Sequence, residues 1–259
     1  MAAASPSAVG LARVAATRYV EPLREGGSLP GLMEADDDGL YVVKFRGAGQ
    51  GPKALVAEVI AGELGRALDL PVPRLAVVAV DPELARAEPD PEIQDLIAAS
   101  AGENLGVDFL PGALAFDPGA DGALAPALAA DVVWFDALVT NVDRTPRNPN
   151  LLRWHGRTWL IDHGAALVAQ HAGRLAVAAD DPFPAIASHV LLPQAGSVLA
   201  ADERLAARLG PEAIAEVVGL VPEPWLPAGG RAEYVEHLER RLAAPRPWAA
   251  EAEAARARA

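Results

Sequence analysis

Cysteine is absent from the 259-residue chain. Without it there is no disulfide framework, no thiolate metal site and no cysteine nucleophile. That absence suits the cytosol, and a cytoplasmic location is the expectation. Basic clusters are missing as well: 22 Lys and Arg face 35 Asp and Glu, for a formal net charge of −13. Affinity for a phosphate backbone comes largely from clustered cations that release counterions, so no direct nucleic-acid binding is expected. The same acidity disfavours a membrane surface. No apolar run reaches the roughly 18 to 20 residues of a membrane helix, since Asp131 and Asp136 bracket Val132 to Phe135. The first 17 residues lack the positive start of a signal peptide, and Arg13 interrupts their apolar stretch. No repeat of solenoid or propeller length is present.

Hydrophobic residues make up 51% of the chain and charged residues 22%, a composition that buries a core. The pattern is α+β. Leu40 to Phe45 alternates as a strand, with Tyr41, Val43 and Phe45 on one face and Val42 and Lys44 on the other. From Lys53 to about Asp69 the apolar residues Val56, Ile60, Leu64 and Leu68 recur at helical spacing, and Pro71 stops the run. Leu75 to Val80 reads as a strand, Asp81 to Asp95 as a surface excursion, and Asn104 to Gly112 as a strand with a turn. A linker around Asp121 to Ala130 leads to a helix at about Asp131 to Thr140, and most of the chain after Gly164 reads as helical. Four segments follow: an extension over 1–25, a strand-containing front over 26–112, a helical back over 113–246 and a frayed tail over 247–259. Trp134, Phe135, Trp154, Trp159 and Trp225 are expected in the core.

The densest chemistry lies between Asn141 and Gly164. Leu151 to Trp154 and Arg157 to Ile161 are strand-like around the turn signal His155-Gly156. Pairing Trp154 with Arg157 sets Leu151 opposite Leu160 and Asn150 opposite Ile161. That register gathers Asn148 and Asp162 at the open end of the hairpin, with Asp143 in the loop before it. Two carboxylates and an amide oxygen are hard donors, a set that suits Mg²⁺ with bound phosphates rather than zinc. An Asp, an Asn five residues on, an apolar hairpin and then Asp-His-Gly, with a strand ending in Lys44 far upstream, is the arrangement that phosphoryl transfer requires.

These residues resemble the HipA-like kinases, a bacterial branch of the protein-kinase-like fold. The matching pieces are Tyr41-Val-Val-Lys44-Phe, Ala57-Glu58 through Leu70-Pro-Val-Pro73, Asn141-Val-Asp143-Arg144 with Asn148, and Ile161-Asp162-His163-Gly164. The resemblance implies a two-lobed kinase fold with a small β-containing N-lobe and a mostly helical C-lobe. It also implies ATP and Mg²⁺ as cofactors. Lys44 would pair with the nucleotide phosphates, Asp143 would act as catalytic base, Asn148 and Asp162 would hold Mg²⁺, and Arg144 would steady the loop or the phosphate. Val42, Phe109 and Leu110 would border the adenine.

Glu58 is the implied helix partner of Lys44, although helical phase sets Glu58 opposite the apolar stripe and Glu63 inside it. No G-x-G-x-x-G precedes Lys44, so Gly26-Gly27-Ser28, with Ser28 as a phosphate contact, stands as the covering turn. Pro149 biases Asn148 toward an extended backbone, which leaves Asn148 and Asn150 both open as metal ligands. The expected activity is transfer of the γ-phosphoryl group of ATP to a Ser or Thr hydroxyl of a protein substrate. A small-molecule alcohol or antibiotic as acceptor, and a non-catalytic nucleotide-binding module, are the alternatives. Members of this family act with an antitoxin partner, and a partner of that type is the expectation that comes with the resemblance.

Overall fold

A computed structural model describes residues 10–23, 29–49, 51–119 and 122–259. The turn Gly26-Gly27-Ser28, and with it the expected contact Ser28, lies outside the described residues. The chain forms two compact units, Met1–Leu55 with Pro73–Pro111 and Val56–Val72 with Gly112–Ala259.

The first unit is a closed five-stranded barrel. Strands β1 (Ala12–Pro22), β2 (Gly31–Ala35), β3 (Leu40–Lys44), β4 (Leu75–Val80) and β5 (Gly102–Asp108) follow one another around it in the order β1-β2-β3-β5-β4. All neighbours are antiparallel except β1 and β4, which run parallel. The expectation of an N-terminal extension over 1–25 therefore fails for residues 12–22, which form the longest strand. Irregularities between Ala16 and Arg18 and between Tyr19 and Glu21 break its period. Its buried residues, Val14 and Tyr19, fall out of alternation, which removes the sequence signal of a strand.

In β3 the phase is as the sequence predicts: Tyr41, Val43 and Phe45 enter the core, while Val42 and Lys44 are half-buried on the other face. The stretch from Asp81 to Asp95 is not an open excursion. It holds a 3-10 turn, Pro82–Ala87, and helix α2 (Pro91–Ala99), each opened by an Asp cap followed by Pro. Asp81 accepts from the Glu83 amide at 2.8 Å and Asp90 from that of Glu92 at 3.0 Å, satisfying donors that a helix start leaves orphaned. Ile93 and Ile97 of α2 join the barrel core.

Helix α1 (Pro52–Ala67) begins in the first unit, but from Val56 onward it belongs to the second, where the sequence had placed the whole helix in the front. From Leu55 to Gly65 it is buried at every position but Glu63, so Glu58 is buried although helical phase sets it opposite the apolar stripe. Gly65 permits the close packing, because a Cβ there would stand 3.1 Å from Val72 and 3.4 Å from Phe135.

The second unit contains a three-stranded sheet of β6 (Leu114–Ala115), β7 (Leu151–Trp154) and β8 (Arg157–Leu160), in that order. The hairpin register is the one counted from the sequence, with Leu151 opposite Leu160 and Trp154 opposite Arg157. His155 and Gly156 both have positive φ, 47° and 73°, as a two-residue turn demands. Trp154 and Trp159 are half-buried and pack edge to face at 5.8 Å, so they depart from the expected core placement.

The helices are α3 (Pro126–Leu138), α4 (Leu175–Ala178), α5 (Val198–Leu205), α6 (Pro211–Gly219), α7 (Gly230–Leu242) and α8 (Pro247–Arg258). Helix α8 replaces the expected frayed tail. Its Trp248 is fully buried and meets Trp134 edge-on at 5.3 Å, and Ala249, Ala252 and Ala255 are buried beside it. Among the described residues no helix is long and apolar enough to cross a membrane.

Candidate active site

A charged residue inside an apolar helix must find partners or pay a large desolvation cost. Asp136, near the end of α3, is fully buried and organises the loop that follows. Its Oδ1 accepts from Asn141 Nδ2 at 3.1 Å, and its Oδ2 accepts from Arg144 Nε at 2.6 Å. His189 supplies the third donor to the carboxylate, also at Oδ2, at 2.9 Å. Because the Leu191 amide donates to His189 Nδ1 at 3.1 Å, the proton toward Asp136 sits on Nε2. Burial by itself would raise the Asp136 carboxyl, but Arg144 and His189 reverse this and hold it far below the usual carboxylate range.

From that anchor the loop is built outward. Asn141 Oδ1 accepts from the Asp143 amide at 3.1 Å, which fixes the backbone at Asp143. Asn148 Nδ2 donates to Asp143 Oδ2 at 2.8 Å, and Asn150 Nδ2 reaches the same oxygen at 3.4 Å. Among the described residues nothing donates to Asp143 Oδ1. The Thr145 and Asn148 backbones bond to each other in both directions, closing the Pro-containing turn between them. Asn148 is exposed, whereas Asn150 is buried.

The Ile161 amide donates to the Asn150 carbonyl at 3.0 Å, so Asp162 follows directly from the base of the hairpin, as its register requires. Thr140, Asn150, Asp162 and Leu167 all have φ between 49° and 54°, a left-handed backbone that side chains other than glycine rarely adopt. Such outliers persist where surrounding bonds over-determine them, and they concentrate at functional sites.

Arg144, expected to steady the loop or the phosphate, bonds Asp136 of α3 and the base of the hairpin. It is 1% exposed, and besides Asp136 its Nη1 bonds the carbonyls of Asn150 and Ile161, the latter at 3.3 Å. A guanidinium sealed in this way ties the loop to both strands of the hairpin and is a positioning group.

Glu58 is buried at 2% exposure, with its carboxylate 3.8 Å from Nδ1 of the equally buried His163, whose ring meets Phe135 edge-on. Glu63 is half-buried beside Arg66, 3.4 Å away, and burial raises its carboxyl above the usual range. In the first unit Lys44 sits at the end of β3 opposite Leu105, and Val42 shares its face. Phe109 is half-buried, with its amide bonded to the Leu40 carbonyl at 2.9 Å, and Leu110 is buried.

The sequence had not singled out Asp136, Asn141 or His189 as site residues. The available signal was Asp136 itself, a carboxylate within the apolar run Val132 to Val139, which implies buried cationic or hydrogen-bonding partners nearby.

Two of the solved structures that share this fold are kinases. One is the Helicobacter pylori proinflammatory kinase CtkA, with a TM-score of 0.56 and 14% identity over 93% of this chain and 97% of that one. The other is a Golgi casein kinase with Mn and ADP bound, with a TM-score of 0.53 and 15% identity over 96% of this chain and 74% of that one. No curated protein matches the chain. The model of the HipA-like kinase family matches residues 17–236, which include β3, α1, the loop around Asp143 and the hairpin to Asp162. The chain belongs to the HipA-like kinase family.

Proposed function

We propose that the protein transfers the γ-phosphoryl group of ATP, with Mg²⁺, to a Ser or Thr hydroxyl of a protein. The observation that carries this reading is the Asp143 carboxylate, held at one oxygen by the Asn148 and Asn150 amides and open at the other. A carboxylate fixed at one oxygen has the second available to accept the proton of an attacking hydroxyl, and fixing it beforehand removes reorganisation from the reaction. Lys44 serves the phosphates as a compact cation at the end of a strand, and Val42, Phe109 and Leu110 border the adenine.

The donor chemistry fits a hard divalent cation. Asn148 and Asp162 offer an amide oxygen and a carboxylate, and Asn148 is the better amide ligand because it is exposed while Asn150 is buried. Among the described residues no group of three or more His, Asp or Glu forms a cage. That is the donor-poor setting in which Mg²⁺ relies on substrate phosphates for much of its coordination. When bound, the ion would neutralise charge building on the transferred group. Nucleotide and divalent metal together in the Golgi casein kinase support the same assignment.

The test joins binding with turnover. ATP plus Mg²⁺ at about 100 times the dissociation constant should stabilise the wild type by roughly 2.7 kcal/mol in a thermal melt, and Asp162→Ala should lose that rise. Asp143→Asn should keep the rise while losing phosphoryl transfer to polypeptide by about 10² to 10³-fold. Absence of any nucleotide-dependent rise in the wild type would sink the reading, and transfer to small alcohols alone would reassign the acceptor.

A further inference from the structure

The second unit holds a cavity of about 210 Å³ whose lining includes none of the residues assigned above to phosphoryl transfer. Its mouth is made of exposed side chains, Val168, Val177, Arg174 and Asp181, and its inner wall includes the buried Phe183 and His237. Val168 and Val177 are 38% and 75% exposed, two of only five large hydrophobic side chains so exposed among the described residues. Their placement at one opening gives a hydrophobic rim that water wets poorly. The Arg174 guanidinium has no ion pair or hydrogen bond among the described residues, and the Asp181 carboxylate accepts only from the Phe183 amide, at 2.6 Å, while its carbonyl accepts from Arg241 Nη1 at 3.1 Å. The mouth therefore presents one cation and one anion.

His237, on α7, defines the inner end. Its Nδ1 lies 2.9 Å from the Leu175 carbonyl, which can only accept, so Nδ1 carries the proton and Nε2 is left as an acceptor. That Nε2 is buried and has no partner among the described residues. Burial lowers the imidazole pKa to about 4, which keeps the ring neutral and the acceptor intact at ordinary pH. A buried acceptor without a donor is costly, and a ligand that supplies the donor gains what the free protein lacks. The volume exceeds the roughly 150 Å³ in which an apolar cavity holds benzene, so one aromatic ring fits.

We propose that this cavity binds a small zwitterion with a hydroxyaromatic side chain, an α-amino acid of the tyrosine type. A para-hydroxyphenyl ring carries its donor at the end opposite its attachment. The hydroxyl reaches His237 Nε2 while the ring lies among Val168, Val177 and Phe183. The carboxylate then meets Arg174 at the mouth and the ammonium meets Asp181. A tyrosine side chain within a polypeptide has the same ring and hydroxyl but neither charge, and that difference separates the two sources.

The test is calorimetric titration of the full chain with L-tyrosine and its deletion analogues, and it does not depend on kinase activity. L-tyrosine should bind saturably. L-phenylalanine without the hydroxyl, tyramine without the carboxylate and 3-(4-hydroxyphenyl)propionate without the amine should each bind about tenfold more weakly. Arg174→Ala, a change at an exposed side chain, should weaken L-tyrosine and the propionate but leave tyramine unchanged. Failure of L-tyrosine to bind, or phenylalanine binding equally well, would overturn the proposal and leave a cavity filled by water. N-acetyl-tyrosinamide binding as tightly as L-tyrosine would also overturn it, in favour of a polypeptide side chain.

Discussion

Asp136 has no contact with water, yet four groups of the active-site loop depend on it directly or through one bond: Asn141, the Asp143 amide, Arg144 and His189. Its folded pKa is depressed, so its contribution to stability is complete above the unfolded value of about 3.9 and fades as pH falls below that value. Asp136→Asn leaves Arg144 buried without its counter-charge and should cost about 3–5 kcal/mol at neutral pH. Urea unfolding should show that deficit narrowing below about pH 4, where the wild-type carboxyl loses its advantage. A deficit that stays constant into acid would mean that the pair contributes no charge-dependent stability.

His237 has the opposite chemistry and the same sign. Its pKa falls to about 4 in the fold, so between the unfolded value of about 6.5 and that value the unfolded chain binds more protons, and stability falls as pH falls. The loss is of the order of 3 kcal/mol across that window, and His237→Gln should flatten it in melts between pH 7 and pH 4.

At the scale of elements, helix ends carry much of the polar bookkeeping. The last carbonyls of α3 have no partner within the helix. Arg241 of α7 donates to those of Ala137 and Leu138, each at 2.7 Å, and to those of Ala179 and Asp181 at 3.2 and 3.1 Å. Its guanidinium stacks on Trp248 at 5.5 Å, and burial lowers its pKa to about 10, which keeps it charged. Arg241→Lys keeps the charge but cannot reproduce the planar fork. A loss of about 3 kcal/mol is expected, a drop of roughly 10 °C in Tm. An unchanged melt would show that water can satisfy those carbonyls.

In the barrel, Gly106 faces Val78 so closely that a Cβ would stand 2.5 Å from its Cγ2. Gly106→Ala should therefore cost about 1–3 kcal/mol by overpacking, read as a lower Tm.

The same scale explains what the sequence could convey. The hairpin from Leu151 to Leu160 was legible down to its register, because a two-residue turn and a period of two leave one solution. The phase of β3 was legible for the same reason. Strand β1 was hidden because its bulges move Val14 and Tyr19 out of alternation, and α8 because an Ala-rich run with few large side chains resembles a solvated tail. At the site, Asp143, Asn148 and Asp162 stood out by spacing. Asp136 and His189 did not, since their roles arise from contacts between distant segments.

The whole molecule is not divided at one point of the chain. Residues 56–72 lie between stretches of the barrel unit, yet they belong to the helical one. Val56 and Ile60 are fully buried and Leu64 is 1% exposed. The Leu160 amide at the end of β8 donates to the Pro71 carbonyl at 2.8 Å. Arg208 bonds the carbonyls of Leu68 and Ala67, both at 3.2 Å, and pairs with Asp69 at 2.5 Å. Cutting the chain after Pro111 would thus give a back fragment without a helix that fills its core, leaving apolar surface open where several residues of about 1.5–3 kcal/mol each were buried. The fragment 112–259 should show helical circular dichroism with no sharp melt. Adding the peptide 52–73 should restore cooperativity and raise the transition with peptide concentration, as mass action requires. If the fragment alone melted sharply at the temperature of the full chain, residues 56–72 would be a covering layer and the helical unit would be complete without them. The predicted dependence would instead make residues 56–72 of α1 part of the core on which cooperative folding of the helical unit depends.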